Sequence, residues 1–129
     1  TVSQLSINRW IVIHDEMVLL SRREGDYQIS GSPLKTSLCS SVDLRAPVKT
    51  IFFLQPSDYT SLRRIRGGEA VLKLAPSLAL PDDHSVSRYE NLSKRISTAS
   101  ILANELPCYD MHFEKNDRFW EYIENLDST

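Results

Sequence analysis

Trp10-Ile11-Val12-Ile13-His14-Asp15-Glu16-Met17-Val18-Leu19-Leu20 is a nearly unbroken apolar run, interrupted by two adjacent carboxylates. A short apolar run of about four to eight residues reads as a buried strand. Trp10 to Ile13 is therefore expected as a first strand and Met17 to Arg23 as a second. Asp15 and Glu16 then fall at the carboxyl end of the first strand, where open α/β sheets bind ligands. They are the leading candidate site. The other reading of the same pattern is a solvated tight turn, in which acidic residues are common.

Upstream of this run, Val2, Leu5 and Ile7 are apolar at near-helical spacing. Downstream, Glu24-Gly25-Asp26 is a turn signal and Tyr27 to Ser30 a return strand, so the pair reads as a hairpin. Gly31-Ser32-Pro33 ends it. Leu34 to Ala46 is polar and Ser-rich and is expected as an exposed loop of functional length. Val48 to Leu54 holds Ile51-Phe52-Phe53-Leu54, bounded by Pro47 and Gln55-Pro56-Ser57, and is expected in the middle of a sheet. Gly67-Gly68 precedes a short helix, Glu69 to Leu74, with Ala70, Val71 and Leu74 on one face and Pro76 as its stop. A longer helix is expected from about His84 to Leu106, because Val86, Tyr89, Leu92 and Ile96 form an apolar stripe opposite most of the polar positions. Cys108 to Phe113 alternates as a half-exposed strand, Tyr109, Met111 and Phe113 against Cys108, Asp110 and His112. From Asp117 onward Phe119, Trp120, Ile123 and Leu126 make a stripe suited to the core or a partner. The fold class is α/β, a mixed β-sheet flanked by helices. With no repeat and no dividing linker, residues 1–129 read as a single domain.

The composition, 41% hydrophobic and 25% charged over 129 residues, is that of one globular domain able to bury a core. A net charge of -2 and a pI of about 5.9 give no basic excess of the kind nucleic-acid binding requires. No apolar run approaches the roughly 18 residues needed to cross a bilayer, and the amino terminus shows no signal-like pattern. The expectation is a soluble, cytoplasmic chain without membrane or nucleic-acid partners. Cys39 and Cys108 are far apart and read as free thiols, while His14, His84 and His112 lack the spacing of a transition-metal site. The sequon Asn91-Leu92-Ser93 lies inside the expected long helix and is discounted. Arg63, Arg64 and Arg66 could clamp a phosphate or an acidic peptide, or form a solvated face, which is the commoner fate.

Taken in order, His14-Asp15-Glu16 with Met17 to Leu20, a hairpin, Gly31-Ser32-Pro33, Ala46-Pro47 with Val48 to Leu54, Ile65 to Leu74 and Leu106 to Phe113 make a recognisable series. This series resembles the carboxyl-terminal part of HPr-kinase-related proteins, ATP-dependent kinases that share a core with phosphoenolpyruvate carboxykinase. In that family a phosphate-binding loop and its helix precede a strand ending in Ser-Asp-Asp or Ser-Asp-Glu. A hairpin, a Gly-x-Pro segment, a Pro-led apolar strand, a Leu-x-x-x-Glu-Ala-x-x-x-Leu helix and a closing strand follow.

The resemblance implies a phosphoenolpyruvate carboxykinase-like kinase core that uses ATP and Mg²⁺ to phosphorylate a Ser hydroxyl on a peptide or small protein. By that analogy Asp15 is the general base or a metal ligand and Glu16 a metal ligand. Hard Mg²⁺ prefers carboxylate and phosphate oxygens, and phosphoryl transfer gains from a carboxylate that orients the hydroxyl. His14 beside them could shuttle a proton, though a simply hydrogen-bonded strand-end His is commoner. Thr1 falls within about a residue of where the loop's own Ser or Thr would touch the nucleotide. The Gly-x-x-Gly-x-Gly-Lys-[Ser/Thr] loop itself does not occur in these residues. It is expected upstream, or else it has been lost and autonomous catalysis with it. Asp-Glu in place of Asp-Asp lengthens one arm by a methylene. The family's Glu-x-Arg-Gly-Leu-Gly stretch is also absent, so HPr itself is not implied as the acceptor. The reading from another class is a non-catalytic regulatory module on a degenerate kinase scaffold, holding a peptide with Leu34 to Ala46. The sequence leaves open whether the chain forms a homo-oligomer.

Overall fold

Glu24 and Gly25 reverse the chain with φ of 53° and 87° in the computed structural model. Positive φ at both central positions is what a tight type I′ hairpin turn requires, and Gly meets the demand without steric cost. The structure describes residues 18–31, 45–79 and 87–127. The turn joins β1 (Val18–Arg23) to β2 (Asp26–Gly31) as an antiparallel pair, with Val18 opposite Gly31 and Arg23 opposite Asp26. Arg22 places its guanidinium 5.5 Å from the Tyr27 ring centroid, on the residue facing it. A third strand, β3 (Arg45–Pro47), adds to β2 with Ala46 opposite Ile29, and the Val48 N–H continues the ladder to the Tyr27 carbonyl. The expected loop therefore ends one strand earlier than its polarity suggests, because Arg45 and Ala46 find backbone partners on β2.

The second sheet has the order β4-β6-β5, built from β4 (Ile51–Pro56), β5 (Ser61–Ile65) and β6 (Cys108–Phe113). Ile51 donates to Pro107 and Ser57 to Phe113, so the hydrogen bonds advance in step along both chains and β4 runs parallel to β6. Thr60 instead meets Glu114 while Arg63 meets Asp110, which makes β5 antiparallel to β6. The sheet is thus mixed. The apolar strand Ile51 to Leu54 lies at its edge rather than in the middle, with Leu54 exposed. The central place goes to β6, whose Cys108, Asp110, Met111 and Phe113 are all buried. That strand carries non-charged residues at both parities except for Asp110, and two cations meet that carboxylate, so both faces can be covered.

Helix α1 (Gly67–Leu74) follows β5 directly. Glu69 in its first turn and Lys73 in its last suit the helix dipole, and Ala70 and Leu74 are its buried residues. Pro76 ends it in a 3₁₀ turn, Ala75–Ser77. Helix α2 (Arg88–Glu105) begins later than its apolar spacing suggests, because the Ser87 hydroxyl caps it by accepting from the Glu90 N–H at 3.1 Å. Its buried residues are Ala99 and Leu102, whereas Tyr89, Leu92 and Ile96 are 80%, 52% and 44% exposed. The stripe chosen from spacing is therefore not the packed face. The small Ala99 is, since it lets the helix approach closely. Helix α3 (Phe119–Asp127) carries the expected stripe, with Phe119 buried and Trp120, Ile123 and Leu126 half-buried. No helix among the described residues is long and apolar enough to cross a membrane.

Contacts divide the chain into two units. One comprises residues 49–55 and 62–111, and its core is Ile65, Ala70 and Cys108 packed against Ile51, Phe53 and Ala103. Burial of a side chain such as Ile65 is worth roughly 1.5–3 kcal/mol. On the opposite parity, Phe52 stacks on Tyr109 at 5.8 Å, and the Arg64 guanidinium lies 5.4 Å from the Tyr109 ring centroid. The other unit comprises residues 1–48, 56–61 and 112–129. Within it Phe119 meets Phe113 edge-on at 5.9 Å and Trp120 at 5.1 Å, while Tyr59 stacks on His112 at 5.2 Å.

Candidate functional site

Thr1, His14, Asp15 and Glu16 lie outside the described residues, as do Cys39 and His84. The chemistry that the structure does bring together is a network of ion pairs on β5, α1 and β6. Asp110 is 7% exposed, and an isolated carboxylate there would be strongly disfavoured. Its neighbours in space, distant in sequence, explain how it is tolerated. Arg63 on β5 donates to Oδ2 at 2.8 Å, and Lys73, in the last turn of α1, donates to Oδ1. Arg63 also forms a two-pronged pair with Glu69, at 3.1 Å and 2.9 Å to the two carboxylate oxygens. Two cations and two anions thus close into one network that satisfies itself.

The protonation equilibria follow from this geometry. Burial pushes the Asp110 carboxyl up, but donation from Lys73 and Arg63 more than reverses that and holds it below the ordinary aspartate value. The hydrogen bonds from Arg63 draw Glu69 below the ordinary glutamate value, and Glu69 in turn holds the guanidinium of Arg63 protonated still more firmly. Burial raises the Cys108 thiol, only partly offset by the charge of Arg64. A raised, buried thiol is a core residue and no nucleophile. Cys108 is free, as its spacing from Cys39 suggested.

The three arginines considered as a phosphate clamp part company. Arg63 is spent on Glu69 and Asp110. Arg64 and Arg66 instead line a cleft of about 700 Å³, whose walls also include Val71 on α1 and Ser100, Ile101, Asn104 and the acidic Glu105 on α2. The strand β5 was not legible as such, since Ser61-Leu62-Arg63-Arg64-Ile65 has the composition of a polar face. What the sequence did offer was a lone acid, Asp110, in an otherwise uncharged strand, a signal that cationic partners lie nearby in the fold. Among the described residues no group of three or more His, Cys, Asp or Glu side chains could hold a metal ion.

Comparison with known protein families, with curated proteins and with solved structures finds no match to this chain.

Proposed function

We propose that this chain is the portion of a kinase domain lying after the phosphate-binding loop, acting with ATP and Mg²⁺ to phosphorylate a Ser hydroxyl of a peptide or small protein. On this reading Asp15 and Glu16 hold the metal and Asp15 accepts the hydroxyl proton, while Thr1 contributes to the nucleotide side of the site. Bound Mg²⁺ would neutralise charge on the transferring phosphoryl group. The supporting observation is the order of elements. Two residues after Asp15-Glu16 the chain enters a two-stranded hairpin, and the Gly31 that opens Gly-Ser-Pro is the register partner of Val18. The apolar strand β4, the Glu69-Ala70 helix α1 and the strand β6 then follow in the family's sequence of pieces. The mixed sheet of β4, β6 and β5, overlain by α1 and α2, is of the α/β class that places ligands at strand ends.

The deciding experiment is phosphotransfer by the native protein, including whatever coding sequence precedes Thr1, with Mg·ATP and a Ser-containing peptide mixture. Asp15→Asn is expected to lower turnover by about 10²–10⁴, the usual contribution of a positioned general base. Unchanged turnover in Asp15→Asn, or no nucleotide binding by calorimetry, overturns the reading.

A further inference from the structure

We draw no further inference here: the strongest candidate, the exposed apolar stripe of Tyr89, Leu92 and Ile96 on the first turns of α2, carries nothing, because nothing in the structure shows what covers it.

Discussion

The ammonium of Lys73 lies 2.5 Å from Oδ1 of Asp110, tying the last turn of α1 to the central strand β6. Asp110→Ala removes the acceptor of both Lys73 and Arg63. Because those cations are 41% and 60% exposed, they regain water when left alone, so the loss is that of Asp110's own charged hydrogen bonds, about 1.5–3 kcal/mol. Lys73→Met is expected to do less, since Arg63 still serves the carboxylate. Urea unfolding of the two variants measures both, and an Asp110→Ala protein as stable as wild type rules out a stabilising network.

The same carboxylate sets the acid limb of stability. Asp110 and Glu69 both titrate below their ordinary values in the folded chain. A group whose folded pKa is depressed stabilises fully above its unfolded value, and that contribution disappears as pH falls through the folded one. Melting temperature is therefore expected to fall with acidification below about pH 4, the ordinary carboxylate range. In Asp110→Asn the fall should be shallower. An identical pH profile for the two proteins contradicts the assignment.

Glu24 adopts a φ of 53°, a conformation that L residues other than Asn and Asp rarely take. Glu24→Asn creates the Asn-Gly pair that type I′ turns prefer, and is expected to raise stability by about 0.5–1 kcal/mol. Gly25→Ala, at a φ of 87°, should lower it by about 1 kcal/mol or more, even though the space around Gly25 is open. Opposite shifts in thermal unfolding midpoint check the pair.

Cys108 is 1% exposed and its thiol is raised by burial. In native buffer at pH 8 its peptide should stay unmodified by iodoacetamide over hours, and react within minutes once denaturant is added. Peptide mapping by mass spectrometry distinguishes it from Cys39. Rapid native alkylation of Cys108 would show that the strand opens readily.

Much of the element order was readable from local pattern. The hairpin announced itself through Glu24-Gly25, α1 through Gly67-Gly68 and Pro76, and α3 through Phe119, Trp120, Ile123 and Leu126. What could not be read was decided by non-local pairing. Arg63 and Arg64 sit on a strand only because β6 supplies the backbone partners and Asp110 the counter-charge. β6 takes the centre of the sheet for a reason no window of sequence reveals, namely that Arg63 and Lys73, 47 and 37 residues away, make its single acid buriable. The packed side of α2 was misread because Tyr89, Leu92 and Ile96 outweigh Ala99 in hydrophobicity, while close approach favours the smaller residue. The kinase assignment drew on the ordering of pieces, and its acidic pair at Asp15 and Glu16 lies outside the described residues.

Helix α2 is anchored at one end. No residue ahead of Ala99 is buried, so its first turns depend on the Ser87 cap and on main-chain bonds open to solvent. Such a helix behaves as a cantilever whose free arm unwinds long before the docked arm lets go. Deuterium should enter the amides of residues 91–96 orders of magnitude faster than those around Leu102, giving one continuous helix two lifetimes.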